Sequence, residues 1–262
     1  MTIVRQVGSR HNDLFKDLRR LLSEPAGYRK LGRVWLEGDH LCRALLERGR
    51  MPLRAIVTES GWVDPALNAL ACRAPEVVCI PDALMRELSG LESPATIGFL
   101  IEADAGAAAL PGVRTVVLDR LQDPGNVGSI LRTASAMGCR QVIALKGSVA
   151  LWSPKVLRAG MGAHFALTLV EGAAIADLAA LGVAIVGTHL RDAQWLHETV
   201  LPETLAWVFG HEGQGMSEAM AAACTLRVRI AQPGGEESLN VAAAAAMCLY
   251  ESARQRAAER RQ

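Results

Sequence analysis

Short apolar runs alternate with amphipathic segments along the whole chain, and this alternation predicts an α/β protein. Residues 10–23 place Leu14 and Leu18 on one side of a helix and basic residues off it, because positions three or four apart share a helical face. Apolar runs such as 53–58 and 115–119 predict short strands. Mostly apolar strands interleaved with helices indicate a parallel sheet that is covered on both faces.

The predicted elements fall into two series. In the first series we predict helices at 10–23, 39–48, 64–72 and 82–88, with strands at 34–38, 53–58, 77–80 and 96–101. In the second we predict strands at 115–119, 141–145, 165–170, 183–188, 205–209 and 225–230, with helices at 127–137, 154–160, 173–181, 216–223 and 241–257. Each series suits an α/β domain of its own.

The segment 103–112 separates the two series. It consists of small residues with little periodicity and ends in Pro-Gly, which is typical of a linker between domains. The sequence therefore predicts a smaller N-terminal domain at 1–102, the linker at 103–112 and a larger domain at 113–262.

Length and composition favour a globular protein of the cytoplasm. The chain has 262 residues, of which 50% are hydrophobic, and this is enough for substantial cores. The sequence shows neither an apolar run of the ~18 residues that cross a bilayer nor the apolar core of a signal peptide near its start. Its six cysteines are dispersed, without a CxxC pair or zinc-like His spacing, so we expect reduced thiols and no metal.

Charge is distributed unevenly although the net charge is only +1. Residues 1–50 hold eleven Lys and Arg against six Asp and Glu, whereas residues 51–112 hold three against eight. A basic N-terminal face fits a polyanion such as RNA, and a solvated helix face is an equally good interpretation. The candidate RNA-binding residues are Arg10, Lys16, Arg19 and Arg20.

Three strand–turn–helix units carry the polar residues that could form a site. The first contains Asp-Pro-Gly-Asn-Val-Gly-Ser at 123–129, the second Gly-His-Glu-Gly-Gln-Gly at 210–215, and the third Pro-Gly-Gly at 233–235 followed by Ser-Leu-Asn at 238–240. Each follows a predicted strand. Because ligands bind outside the carboxyl ends of parallel strands, we expect the three units to form one site.

Individual side chains in these units have both a structural and a chemical interpretation. We predict that Asn126 caps the helix that follows it and that Arg132 projects from the same side, about 9 Å further along the axis. Glu212 lies between glycines, and Ser238 or Asn240 can cap the last helix. The structural alternative is that Asn126 is only a cap and Arg132 only a surface arginine.

In this order, the three units resemble the signature motifs of the SpoU (TrmH-like) family of RNA ribose 2′-O-methyltransferases, in the SPOUT superfamily. Asp-Pro-Gly-Asn-Val-Gly-Ser-Ile-Leu-Arg-Thr-Ala is similar to the first motif, Val-Phe-Gly-His-Glu-Gly-Gln-Gly-Met-Ser to the second and Ser-Leu-Asn-Val-Ala to the third. Residues 9–100 also resemble the family's N-terminal substrate-binding domain of ribosomal-protein type. The resemblance thus covers nearly the whole chain.

The resemblance implies an S-adenosylmethionine-dependent enzyme with a parallel-sheet domain tied in a trefoil knot, active as a homodimer on ribosomal or transfer RNA. Arg132 is the implied catalytic arginine. The residues implied around it are Asn126, Glu212, Ser238 and Asn240. The residues implied to line the cofactor are Gly210, Ile230, Leu239 and Thr188.

The sequence departs from the family pattern at positions beside the site. The family often has Ile-Pro-Met where this chain has Ile230-Ala231-Gln232, and Ser where it has Gly160; His211 also replaces a commoner Asn or Ser. Two other functions stay open: an RNA-binding protein without catalysis and a SPOUT enzyme that methylates a base nitrogen. A Rossmann-type enzyme is disfavoured because no GxGxG follows the first strand.

Overall fold

The structure is a computed structural model, and it describes residues 2–89, 91–104, 106–190, 192–234 and 238–259. The chain forms two compact units. The N-terminal unit comprises Met1–Ala105 together with Trp152–Phe165, and the C-terminal unit comprises Gly106–Leu151 together with Ala166–Gln262. Each unit is built around its own sheet.

The elements are numbered in chain order. The strands are β1 (Ile3–Gln6), β2 (Arg33–Glu37), β3 (Arg54–Thr58), β4 (Glu76–Ile80), β5 (Ile97–Glu102), β6 (Thr115–Asp119), β7 (Gln141–Leu145), β8 (Thr168–Ala173), β9 (Ala184–Thr188), β10 (Gln194–Trp195), β11 (Leu205–Gly210) and β12 (Leu226–Arg229). The helices are α1 (Asp13–Ser23), α2 (Gly27–Leu31), α3 (Asp39–Glu47), α4 (Glu59–Val63), α5 (Pro65–Ala71), α6 (Asp82–Leu88), α7 (Pro124–Ala136), α8 (Pro154–Gly160), α9 (Glu218–Ala223) and α10 (Val241–Glu259).

The sheet of the N-terminal unit has the order β1-β4-β3-β5-β2. β1, β4 and β3 run parallel, whereas β5 is antiparallel to both of its neighbours, β3 and β2. The indole of Trp35 lies over Gly98, where an added Cβ would come within 2.2 Å of the ring. Glycine at this position of β5 therefore makes room for the largest side chain of β2.

The C-terminal unit contains one parallel sheet with the order β10-β12-β9-β11-β6-β7-β8. β6 and β11 lie near its centre, and all residues of both strands are buried. Val117, Ile143 and Val208 contribute to a core beneath this sheet together with Leu178 and Met220. The predicted parallel α/β architecture is thus confirmed.

Several predicted elements differ from the structure. The helix predicted at 173–181 is a 3₁₀ helix over Ile175–Leu181, and the strand predicted at 165–170 is β8, Thr168–Ala173. Hydrophobic spacing over two turns does not distinguish hydrogen bonds that span three residues from those that span four. β1 was not predicted; each of its residues is exposed, so its backbone pairing with β4 leaves no apolar pattern in the sequence.

The predicted linker is irregular, with turns at Gly106 and at 111–112. Its described residues form neither helix nor strand, and its two ends are held to different units. The Ala103 N–H donates to the carbonyl of Gly32 at 3.0 Å, and the Gly112 N–H donates to the carbonyl of Leu181 at 2.8 Å. The segment Trp152–Phe165 groups with the N-terminal unit, where the sequence-based division places it in 113–262.

None of the helices in the described part of the chain combines the length and apolar character that a bilayer crossing requires.

Candidate active site

The carboxyl edge of the parallel sheet brings the three polar units into one place. β11 lies between β6 and β9, and Gly210 at the end of β11 pairs with Asp119 at the end of β6. The turns that follow β6 and β11 are therefore neighbours. Asn126 lies in the first turn of α7 after β6, and Glu212 lies in the turn after β11.

Glu212 joins the first two strand–turn–helix motifs directly. Its carboxylate accepts hydrogen bonds from the backbone N–H groups of Gln122 at 3.3 Å and Asp123 at 3.1 Å, and from Nδ2 of Asn126 at 3.4 Å. Partial burial raises the pKa of this carboxyl, but hydrogen bonds from its own backbone, Asp123, Gln122 and Asn126 outweigh that effect and hold the pKa below its ordinary value. Glu212 is therefore anionic near neutral pH.

Asn240 joins the third strand–turn–helix motif to Glu212 and Asn126. Its Oδ1 accepts the N–H groups of Ala242 at 2.9 Å and Ala243 at 3.2 Å, so Asn240 caps α10. Because Oδ1 is occupied by these donors, Nδ2 is the atom that faces Asn126, and it donates to Oδ1 of Asn126 at 3.0 Å. The Asn126 amide must then direct its own Nδ2 toward Glu212. We call this hydrogen-bonded series of side chains, Asn240–Asn126–Glu212, the amide relay.

The cap of α7 corrects one prediction. Asp123, rather than Asn126, is the N-cap: its Oδ1 accepts the Asn126 N–H at 2.7 Å, and Pro124 occupies the first helical position. The prediction that Asn126 caps the helix was wrong because α7 begins three residues earlier than expected, at a proline whose missing N–H is tolerated there. Since Asp123 is the cap, the Asn126 side chain is available for the relay.

The turn that presents Glu212 is closed by its own backbone. The Gly215 N–H donates to the His211 carbonyl at 2.8 Å, and His211 Nδ1 accepts the Gly213 N–H at 3.1 Å. A Cβ on Gly210 would lie 2.2 Å from the Met216 nitrogen. Gly210 is therefore a steric requirement of this turn, and His211 stabilises the turn through its ring nitrogen.

Asp119 supports the same turn from the neighbouring strand, although sequence reasoning gave it no role. Its side chain is 2% exposed, and Oδ2 accepts the Ser217 N–H at 2.7 Å. The available signal was a carboxylate at the end of an otherwise apolar, buried strand, since such a group needs a partner when it is desolvated. Asp119 thus holds the turn after β11 against the end of β6.

Arg132 and Ser238 lie outside the relay. The Arg132 side chain is exposed on α7, and Ser238 is exposed two residues before Asn240. Within the described residues neither side chain makes a hydrogen bond or ion pair. Of the five predicted catalytic residues, the structure therefore joins Asn126, Glu212 and Asn240.

The predicted cofactor residues follow adjacent strands on one side of Glu212. Thr188 ends β9 and pairs with Val228 of β12, so Ile230 lies just beyond the next strand end. Gly210 ends β11, the other neighbour of β9, and Leu239 directly precedes the relay residue Asn240. These four residues are therefore placed along the β11-β9-β12 part of the edge and at the start of α10.

The predicted RNA-binding residues are already engaged by acidic groups, with one exception. Lys16 pairs with Asp13 at 3.0 Å, Arg20 with Glu24 at 3.1 Å and Arg19 with Glu87 at 3.9 Å. Arg10 is exposed and has no such partner among the described residues. Exposed ion pairs are weak, about 0.2–1 kcal/mol, so these three side chains can exchange their acidic partner for another anion.

Comparison with known proteins gives a consistent result. Residues 114–250 match the model of the SpoU rRNA Methylase family. An uncharacterized tRNA/rRNA methyltransferase of Synechocystis sp. is 31% identical over 96% of this chain and 94% of its own length. The 23S rRNA (guanosine(2553)-2′-O)-methyltransferase RlmP of Bacillus subtilis is 26% identical over 94% of this chain and 98% of its own.

A solved structure agrees over the same extent. The AdoMet-bound rRNA methyltransferase from Sinorhizobium meliloti superposes with a TM-score of 0.82 at 26% identity, over 96% of this chain and 98% of that one. Motifs, sheet topology and whole-chain similarity thus lead to the same family. The chain belongs to the SpoU rRNA methylase family.

Proposed function

We propose that this protein transfers the methyl group of S-adenosylmethionine to a ribose 2′-hydroxyl of ribosomal or transfer RNA. The observation that carries the proposal is the amide relay, because it connects all three family motifs through hydrogen bonds of 3.0 and 3.4 Å. Relatives of similar length support it: the Bacillus subtilis relative is a 23S rRNA 2′-O-methyltransferase, and the Sinorhizobium meliloti enzyme was solved with AdoMet.

The residues at the β11-β9-β12 edge fit S-adenosylmethionine. We propose that Gly210, Thr188, Ile230 and Leu239 line its site. Gly210 and the turn after it supply backbone groups, Ile230 and Leu239 supply apolar surface, and Gln232 has a buried Oε1 without a hydrogen-bond partner among the described residues. A buried acceptor of this kind suits a ligand with N–H donors. When bound, the cofactor supplies an electrophilic methyl group on a sulfonium.

The amide relay and Arg132 have different proposed roles toward the ribose hydroxyl. A ribose hydroxyl is a weak nucleophile, so its proton must be removed or shared as it attacks. We propose that Arg132 either stabilises the developing oxyanion as a charged guanidinium or, if its local environment first removes its own proton, accepts the proton of the hydroxyl. Asn126, Glu212 and Asn240, joined by hydrogen bonds, are proposed to orient the hydroxyl, and Ser238, two residues before Asn240, is proposed to assist them. Positioning alone can contribute ~7 kcal/mol or more.

We also propose the trefoil knot and the homodimer of the family. Support for the dimer comes from α10, which begins at the relay and exposes two large apolar side chains one turn apart, Met247 at 44% and Tyr250 at 61%. Exposed apolar pairs of this kind suit a partner surface. Sedimentation velocity of the full chain tests this proposal, and a monomer at micromolar concentration would contradict it.

We propose that the N-terminal unit docks the RNA in the cytoplasm, through Arg10, Lys16, Arg19 and Arg20. The excess of basic residues over 1–50 supports this assignment. Phosphate contacts release counterions, so the affinity should fall as salt rises. Replacing Arg10 and Arg19 with Glu should weaken RNA binding, and unchanged affinity would place the docking face elsewhere.

Arg132→Ala provides the central test of function. The full-length protein is incubated with total bacterial RNA and methyl-labelled S-adenosylmethionine, and the labelled nucleotides are mapped by resistance to alkaline cleavage. A 2′-O-methyl group blocks this cleavage, whereas a methylated base does not. We expect labelling at resistant linkages for the unaltered chain and loss of turnover in Arg132→Ala, with cofactor affinity retained in calorimetry.

The matched control is Arg140→Ala, because Arg140 is an exposed arginine that precedes β7 at the opposite edge of the same sheet. Label at cleavable linkages would indicate a base methyltransferase. RNA binding without any transfer would indicate a protein that only binds RNA. Wild-type turnover in Arg132→Ala would remove Arg132 from the mechanism.

A further inference from the structure

We propose that Arg120 and Lys146 form a binding site for an RNA backbone phosphate beside the amide relay. The inference deepens the proposed function and rests on it, because RNA is the assigned source of the anion. The family motifs gave neither residue a role. The site lies on the side of the relay that faces β7, whereas Thr188 and Ile230 of the proposed cofactor site lie on the side of β9 and β12.

Arg120 is held in an unusual backbone conformation. It is the first residue after β6 and has φ = 62°, in the left-handed region that residues with a side chain seldom adopt. Its N–H donates to Oγ of Ser148 at 3.1 Å, and this hydroxyl donates in turn to the carbonyl of Leu118 at 3.0 Å. Strain of this kind persists where surrounding contacts fix the residue, and it occurs often at functional sites.

The Arg120 side chain is fixed along its length. Its stem packs against Gly147, where an added Cβ would lie 3.4 Å from Cγ of Arg120. Nε lies 3.3 Å from Oδ1 of Asp119, and the terminal Nη1 donates to Oε1 of Gln214 at 3.2 Å. Residues from the end of β6, the turn after β7 and the turn after β11 therefore hold this one side chain.

The guanidinium keeps donors available. The Arg120 side chain is 35% exposed, and its Nη2 has no hydrogen-bond partner among the described residues. The carboxylate of Asp119 partly offsets the charge, but Asp119 is buried and also engaged by Ser217. The planar guanidinium has Nε and Nη1 engaged by protein groups and Nη2 available, and such an arrangement suits hydrogen bonds to the oxygens of a phosphate.

Lys146 supplies the second cation. It is the first residue after β7, as Arg120 is after β6, and the two strands are adjacent with Leu118 paired to Ala144. Lys146 is exposed, and within the described residues it makes no ion pair. Two cations thus follow neighbouring strands at one edge, next to the turn that carries Asn126.

The strand order places this pair on the other side of β11 from Thr188 and Ile230 of the proposed cofactor site. Along the sheet edge the order is β12 with Ile230 after it, β9 with Thr188, β11 with Gly210 and Glu212, β6 with Arg120 and β7 with Lys146. A ribose at the relay thus has the methyl donor on one side and the two cations on the other. A phosphate that flanks the target nucleotide fits the second side, whereas the carboxylate of the cofactor belongs to the first.

The test measures RNA affinity against salt for the full-length chain. The variants are Arg120→Met, Lys146→Met and, as a matched control, Arg140→Met, because Arg140 and Lys146 flank the same strand at opposite edges. The probe is a fluorescein-labelled single-stranded RNA of mixed sequence, measured by anisotropy between about 50 and 200 mM KCl. Calorimetry with S-adenosylmethionine is run in parallel.

We expect each lost phosphate contact to reduce the slope of log affinity against log salt by about 0.7. The affinity ratio of wild type to Arg120→Met should then shrink about 2.6-fold over this salt range. Lys146→Met should behave in the same way, and Arg140→Met should match wild type. The affinity for S-adenosylmethionine should stay within twofold in all variants.

Three results would overturn the proposal. Wild-type RNA affinity and slope in both Arg120→Met and Lys146→Met would show that no phosphate binds there. Loss of cofactor affinity with an unchanged RNA slope would assign the anion to the cofactor carboxylate. Equal loss of both affinities without a slope change would make Arg120 a structural clamp only. If wild type binds this RNA but transfers no methyl group, the proposed function fails while a reduced slope still supports the phosphate site.

Discussion

Asn240 has two separable tasks, and two substitutions distinguish them. Its Oδ1 caps α10 by accepting the N–H groups of Ala242 and Ala243, while its Nδ2 donates to Asn126 at 3.0 Å. Asn240→Asp keeps an oxygen for the cap and replaces the donor with a second acceptor. Asn240→Ala removes both functions.

The expected magnitudes follow from these contacts. Loss of an asparagine cap costs about 1 kcal/mol, and loss of the bond to Asn126 costs about another 1 kcal/mol. Asn240→Ala should therefore lower the melting temperature by about 4 °C. Asn240→Asp keeps the cap and adds negative charge at the start of a helix, which is favourable by about 0.3–1 kcal/mol. Its melting temperature should stay within about 2 °C of wild type.

Methyl transfer should respond differently. In Asn240→Asp the carboxylate oxygen that replaces Nδ2 faces Oδ1 of Asn126, so two acceptors meet. The Asn126 amide must then rotate and point its own Oδ1 at the Glu212 carboxylate. We expect a loss of at least about tenfold in turnover, equivalent to about 1.4 kcal/mol. Thermal melts and single-turnover assays check both expectations. Methylation of RNA by Asn240→Asp at the wild-type rate, or a melting temperature as low as that of Asn240→Ala, would contradict these separate roles of Oδ1 and Nδ2.

Two further predictions concern the turn that carries Glu212. The folded-state pKa of Glu212 is depressed, so its stabilising contribution is complete above the ordinary pKa and is lost as pH falls through the folded one. Glu212→Gln should therefore melt below Glu203→Gln, an exposed carboxylate without a hydrogen bond among the described residues, at pH 7. Solvent screening at the exposed Glu212 side chain limits this gap to about 2 °C. The gap should narrow as the pH falls through the folded-state pKa of Glu212; a gap that widens in acid contradicts this. Gly210→Ala should destabilise the protein by about 3 kcal/mol because its Cβ would meet the Met216 nitrogen at 2.2 Å, whereas Gly213→Ala, with its nearest neighbour at 4.0 Å, should be close to neutral. Equal melting temperatures for these two glycine variants would show that the backbone absorbs the added methyl.

Secondary structure was predictable from the sequence wherever apolar residues recur with a clear period. β6, β7, β9 and β11 lie within a residue of their predicted bounds, because burial on both faces requires continuous apolar runs. Elements held by backbone pairing at an edge lack this signal. β1 is exposed throughout, and β10 has only two residues.

The chain itself determined the family and the parallel sheet, and it predicted that Asn126, Glu212 and Asn240 lie near one another, because polar residues that follow buried parallel strands gather at the carboxyl edge. Only the tertiary structure decided how they meet. Strand order is a long-range property, and it placed β11 beside β6 rather than beside its sequence neighbours. Because β11 lies beside β6, the Asn126 amide can bond Glu212, the Ser217 N–H can donate to Asp119, and Arg120 can donate to Gln214. Each of these contacts joins residues about 90 or more positions apart, a separation over which local spacing carries no information.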